Sequence, residues 1–124
     1  MSKKRSVNYS QNLINALNKL PNTIYDEKHN LIVRLDDAKA RSNQSRFQHI
    51  ARNFHELKVR DIEFIPKGLT KNPTLKKDKV RKDTYNYYFE RKHQKIKYIK
   101  ISVLIDFKSR IAIVKSMFVT GKMK

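Results

Sequence analysis

The chain contains no cysteine, which excludes disulfide staples, thiolate metal sites and a cysteine nucleophile. The same absence fits a reducing compartment, so a cytoplasmic location is expected. Glycine is nearly as scarce. With two in 124 residues there is no glycine-rich phosphate loop, no dinucleotide-binding turn and no GxSxG elbow. A phosphate site in this chain must therefore be built from side chains, and no nucleotide cofactor is expected. Long hydrophobic runs are also missing. The strongest stretches, residues 99–105 and 111–114, fall far short of the roughly 20 residues that a membrane-spanning helix needs. The basic start Met1-Ser2-Lys3-Lys4-Arg5 leads into no apolar segment, so it does not read as a signal peptide. A soluble protein with no membrane partner is the expectation.

Negative charge is the last scarcity. Eleven Asp and Glu stand against 29 Lys and Arg, a formal net charge of +18. Residues 1–60 hold 12 basic and 5 acidic groups, and residues 61–124 hold 17 and 6, so no single tail accounts for the excess. A folded body this basic repels itself unless a polyanion binds, and nucleic acid is the usual polyanion. A basic membrane-surface protein would carry a helix with one lysine-rich and one apolar face. The clearest amphipathic helix, over residues 45–57, is mixed in charge.

The length allows one domain, and the 39% hydrophobic content, with six Phe and six Tyr, supplies a modest core. Residues 1–8 read as a disordered basic lead and residues 9–124 as the domain. Leu13, Ile14, Leu17 and Leu20 follow helical spacing until Pro21. Residues 23–25 and 31–35 flank a polar turn and predict a small hairpin. Residues 36–44 read as a loop. Ser45 then caps a helix carrying Phe47, Ile50, Ala51, Phe54 and Leu57 on one stripe. A second short helix is predicted over residues 59–66, a break over 68–74, and a solvated basic loop over 76–82. The last third alternates as strands do. Tyr85, Tyr87 and Phe89, then Ile99, Ile101, Val103 and Ile105, then Ile111, Ile113, Met117 and Val119 form successive apolar faces. The expected fold is α+β, with N-terminal helices and a small hairpin packed on a C-terminal antiparallel sheet of three to four strands.

Acidic residues are too scattered for a metal site, and none is expected. Of four histidines, His29 and His93 fall in predicted turns and read as solvated. On the helical wheel His55 lies at the edge of the apolar stripe and His49 nearly opposite it, so either is an acid–base candidate or an ordinary surface residue. Basic and aromatic residues interleave over residues 85–100. Tyr88 beside Lys92, Lys95 and Lys100 suits stacking on unpaired bases while cations hold the backbone, and Lys122 adds a further cation.

The segments Phe47-Gln48-His49-Ile50, His55-Glu56-Leu57 and Asp61-Ile62-Glu63-Phe64-Ile65-Pro66 carry a resemblance, joined by Asn72-Pro73. So do Tyr98-Ile99-Lys100-Ile101-Ser102-Val103 and Ala112-Ile113-Val114-Lys115-Ser116-Met117-Phe118-Val119-Thr120. Over about residues 45–120 the chain resembles the barnase–EndoU–colicin–RelE-like nuclease superfamily, in its phage-associated branch of small toxin domains. The resemblance implies helices on an antiparallel sheet and metal-independent cleavage of RNA. The ribose 2′-OH attacks the adjacent phosphate and leaves a 2′,3′-cyclic phosphate. It also implies His49 and His55 as acid and base, Thr120 as a hydroxyl on the phosphate, and Lys115, Arg91 and Lys92 as its cations. The chain departs from the family in lacking a glutamate in the meander well placed as a barnase-style base, for which Glu90 is the only candidate. RNA is the implied substrate, and a small acidic antitoxin or immunity protein the implied partner. A non-catalytic RNA- or DNA-binding module needs only the charge and the aromatics, and is the competing reading.

Overall fold

The computed structural model describes residues 2–42 and 57–122. Helix α1 spans Ser2–Lys19 and buries Leu13, Ala16 and Leu17, with Leu20 just beyond it. It starts well before Tyr9, so helix replaces the expected disordered lead. Residues 2–8 hold no proline or glycine, and Lys and Arg are good helix formers, so nothing there stops the helix. Pro21 prevents its continuation.

The predicted hairpin is formed by β1, Thr23–Asp26, and β2, Leu31–Arg34, paired antiparallel. Asn30 in its turn takes a left-handed φ of 54°, which asparagine tolerates well. Helix α2 then occupies Asp36–Ser42, in place of the expected loop. Asp36 and Asp37 sit in its first turn, where carboxylates offset the unpaired N–H groups. The helix predicted over residues 45–57 lies almost wholly outside the described residues. Leu57, the last of its apolar stripe, is fully buried.

Helix α3 spans Val59–Lys71 and runs through both Pro66 and Gly68, past the predicted end at residue 66. Proline removes one backbone hydrogen bond from a helix interior. Burial of Ile62, Ile65 and Leu69 along one stripe outweighs that loss. Strand β3, Thr74–Lys77, takes up part of the expected break and basic loop, because Leu75 packs against the core.

The predicted meander is present as β4, Thr84–Arg91, β5, Gln94–Asp106, and β6, Ile111–Thr120. The sheet, however, has six strands in the order β1-β2-β6-β5-β4-β3. It is mixed, since β2 runs parallel to β6 while the other neighbours are antiparallel. The architecture is α+β as expected. The strand count and the purely antiparallel pairing are corrected, because the hairpin joins the sheet edge and does not pack on its face.

The period of β6 also differs. Ser102 pairs with Ser116 and Val103 with Val114, so Lys115 is an extra, bulged residue. Before the bulge Ala112 and Val114 face the core, in place of the predicted Ile111 and Ile113. After it Met117 and Val119 do, as predicted.

The sheet curls around its core. Lys28 Nζ donates to the Pro73 carbonyl at 3.1 Å, drawing the hairpin turn onto the start of β3. Tyr87 Oη donates to Asp26 at 2.6 Å across the interior, although β4 and β1 are well separated in strand order. Helices α1 and α3 pack together on this concave side, and α3 touches both β1 and β4.

On the opposite face Asn86 accepts from Ser102 Oγ at 2.7 Å and donates to Asp78 at 3.0 Å. The Asp78 carboxylate also accepts the backbone N–H groups of Arg81 at 2.7 Å and Val80 at 3.1 Å. The Arg81 N–H, then Asn86 and the Val80 N–H, lower its pKa from 3.8 to about 2. A depressed carboxylate pKa adds stability that is complete above the ordinary value and is lost as pH falls toward the folded one. Amide protection at Val80 and Arg81 is therefore expected to fall between about pH 4 and pH 2, read by NMR hydrogen exchange. In Asp78→Asn that pH dependence disappears.

Candidate nucleic-acid interface

Strand β3 stops at Thr74, opposite Tyr88, whereas β4 continues to Arg91. Pro73 stands immediately before Thr74 and has no N–H to continue the ladder. Beside this overhanging end of β4 lies an open groove of about 620 Å³. Its walls come from α3, from the end of β4 and from the start of β5. Lys67 and Lys71, one helical turn apart on α3, form one side, and Lys92 and Lys95 in the β4–β5 corner form the other. Phe64 and Tyr98 supply partly exposed aromatic surface, Phe89 and Tyr88 are buried beneath them, and Glu90 is the only carboxylate in the lining among the described residues.

The aromatic floor is fixed by direct packing. Phe64 and Phe89 lie 6.1 Å apart, and Lys92 Nζ is 6.0 Å from the Phe64 ring centre. Gly68 faces the Phe89 ring so closely that a Cβ there would lie 2.4 Å from it. Gly68→Ala is thus expected to push α3 away from β4, at a cost of about 1–3 kcal/mol in urea unfolding.

Of the residues singled out from the sequence, Arg91, Lys92, Lys95 and Tyr88 come together at this groove, joined by Glu90. Tyr88 is corrected, however, because it is 1% exposed and so offers no face for stacking on a base. Lys100 lies two residues beyond Tyr98 on the same strand face. Its Nζ is 5.9 Å from the Tyr88 ring and 4.9 Å from the Phe118 ring. Thr120 pairs with Tyr98, which pairs with Glu90, so it lies on the strand next to Tyr98 and two strands from Glu90, outside the groove lining. Its hydroxyl donates to the Lys122 carbonyl at 3.1 Å and accepts the Lys122 N–H at 3.4 Å, in the turn after β6. Lys115 is set apart at the bulge, where Nζ binds Asp37 at 3.0 Å and its carbonyl accepts from Arg41. His49 and His55 lie outside the described residues.

Arg91 is the clearest reassignment. Its guanidinium is buried, grips Asp61 through Nε and Nη2 at 3.0 and 2.7 Å, and donates from Nη1 to Gln94 at 2.8 Å. These bonds make it a strut between α3 and β4, not a free cation for phosphate. Asp61 also accepts the Lys58 N–H at 2.8 Å, closing the first turn of α3. His93 is 3.6 Å from Asp61. Its pKa is lowered, first by partial desolvation. Asp61 opposes this, and Arg60, Arg91 and Lys58 add to it.

His29, which reads as solvated in the sequence, is instead held at its Nδ1 by the fully buried Asp26 at 2.8 Å. Asp26 also accepts from Tyr87, and burial, then the bond to Asp26, raise the Tyr87 pKa far above its ordinary value. The sequence signal for this contact is the i, i+3 spacing of Asp26 and His29 across a turn. For Lys67 and Lys71 it is the continuing Ile62, Ile65 and Leu69 stripe, which places both lysines off the core side of one helix. No family model, curated protein or solved structure matches this chain. Among the described residues no helix is long and apolar enough to cross a membrane, and no three His, Asp or Glu side chains gather as metal ligands.

Proposed function

We propose that the protein binds single-stranded RNA in the groove beside β4 and cleaves it as a metal-independent endoribonuclease of the toxin type. The observation that carries this reading is the groove lining itself, where, among the described residues, four lysines and the partly exposed rings of Phe64 and Tyr98 surround a single carboxylate. Lysines neutralise phosphates, and aromatic faces stack on unpaired bases without demanding a sequence. A duplex offers no free base faces, so the aromatic rings favour a single strand.

Cleavage by 2′-OH attack needs a base for the hydroxyl proton, an acid for the leaving 5′-oxygen and cations for the charge on the phosphorane. Glu90 is the base candidate in the groove, flanked by Lys92 and Lys95 as phosphate cations. His49 and His55 are the acid–base candidates that the family resemblance adds. A cytoplasmic site of action and an acidic protein antagonist belong to the same proposal.

The test is incubation with a single-stranded RNA and with total tRNA in EDTA, beside Glu90→Gln, His49→Ala and His55→Ala. Cleavage that leaves 2′,3′-cyclic ends and is lost in one of these variants supports the enzyme. RNA retained without cleavage leaves a binding module, and no retention at low salt overturns both readings.

A further inference from the structure

The fully buried Asp26, at the end of β1, gathers two titratable side chains that the groove does not use. Its Oδ2 accepts the Tyr87 hydroxyl at 2.6 Å and lies 2.8 Å from His29 Nδ1. Its Oδ1 accepts the His29 backbone N–H at 3.2 Å. An ionised carboxylate only accepts hydrogen bonds, so the proton of a neutral His29 ring sits on Nδ1 and its lone pair on Nε2. The His29 side chain is 24% exposed, and no described residue is bonded to Nε2. Tyr87 meets the ring edge-on at 6.1 Å, which holds its orientation from a second side. We propose that His29 is the general base of RNA cleavage, with Asp26 and Tyr87 as its positioning residues. The assignment rests on the ribonuclease reading above and supplies the base for which Glu90 is the other candidate.

The turn that carries His29 is tied to the groove. Lys28 Nζ donates to the Pro73 carbonyl at 3.1 Å, and Asn72 and Thr74, on either side of Pro73, line the groove. A strand leaving the groove past these two residues runs onto the turn. Arg110 reaches the same turn from between β5 and β6, donating from Nε to the Asn30 carbonyl at 2.9 Å and from Nη2 to the His29 carbonyl. A carbonyl does not neutralise a cation, so Arg110 and Lys28 bring two positive charges to the ring. Glu27 is the one further acid in the turn. In the step assigned, Nε2 takes the 2′-OH proton as the 2′-oxygen bonds to phosphorus. The bond from phosphorus to the 5′-oxygen breaks, and the 5′-oxygen takes a proton from water. The imidazolium returns its proton to the hydroxide so formed, and no co-reactant is consumed. Asp26 steadies the imidazolium, and the two cations offset the charge gathered on the phosphorane.

The test is single-turnover cleavage of a single-stranded RNA in EDTA by the full chain and by His29→Ala, with RNA affinity measured in parallel. His29→Ala is expected to lower the rate by about 10²–10⁴-fold, the usual contribution of a positioned base, while affinity changes by less than about twofold. Free imidazole should restore part of the rate in His29→Ala, which it would not do for a histidine that only supports the fold. Nitrogen NMR of the wild-type ring should place the neutral ring's proton on Nδ1. Four results overturn the assignment and leave the ribonuclease reading standing: unchanged cleavage by His29→Ala, a rate lost only in step with affinity, no rescue by imidazole, or the proton on Nε2. A wild-type protein that cleaves no RNA overturns both.

Discussion

Replacing Asp61 by alanine is expected to destabilise the protein by about 3–5 kcal/mol, the usual cost of stranding one member of a buried ion pair. The Asp61 side chain is 1% exposed and that of Arg91 6%, so the guanidinium left behind has little water to turn to. The variant also loses the acceptor for the Lys58 N–H at the start of α3. Urea unfolding followed by circular dichroism measures the loss. The pair itself is not the source of most of that energy. Replacing both residues, as in Asp61→Leu with Arg91→Met, removes two desolvated charges together and is expected to recover most of the stability. A double variant as unstable as Asp61→Ala would show that the charges are needed in their own right. Because Arg91 and Lys92 are consecutive, the ion pair also sets where the β4–β5 corner places its lysines. RNA affinity is expected to fall in Asp61→Ala even where the fold survives.

Changing Lys67, Lys71, Lys92 and Lys95 together to alanine is expected to lower affinity for a single-stranded RNA by roughly a hundredfold or more at low salt. The salt dependence is the sharper readout. Each lysine that neutralises a phosphate releases a counterion, so its loss should flatten the plot of log affinity against log salt by about 0.7 for a single strand. Four groove lysines together should flatten it by about 3. Lys115→Ala is the internal control, since its ammonium is committed to Asp37 at the bulge. It carries the same formal charge change as any single groove variant, with no expected change in slope beyond the general field of the protein. Equal slopes for Lys115→Ala and each groove variant would mean that RNA reads only the net charge of +18.

The meander is legible in the sequence because Tyr87, Phe89, Ile99, Ile101 and Val103 recur at every second position, the period of a strand, although Asn86, Tyr88 and Ser102 between them are buried too, on the other face. In β6 both alternating sets are apolar, Ile111 and Ile113 against Ala112 and Val114. The pattern therefore cannot choose a face, and the bulge at Lys115 reverses the phase partway along. Helix α3 reads too short because Pro66 is a strong local stop signal, and only tertiary burial of Ile65 and Leu69 overrides it. The parallel pairing of β2 with β6 joins residues 32–34 to residues 111–113, and no local pattern encodes a contact that distant. The candidate site divides in the same way. Tyr88, Lys92 and Lys95 are close in sequence and visible there as a cluster, whereas Phe64, Lys67 and Lys71 reach the groove only through the packing of Gly68 on Phe89.

The strand order has a consequence for how the chain reaches its native state. β6 is the last strand in sequence yet lies between β2 and β5. During synthesis the hairpin and the β3–β5 segment emerge first, as two half-sheets each with an edge that only β6 can pair. Closing them requires contacts between residues far apart in sequence, such as Ile32 with Ile111, and long-range pairing of this kind slows folding. Until that strand is released, β2 and β5 are the exposed edges most open to wrong pairing. A chain interrupted before residue 111 would therefore be expected to aggregate, not to persist as a smaller domain.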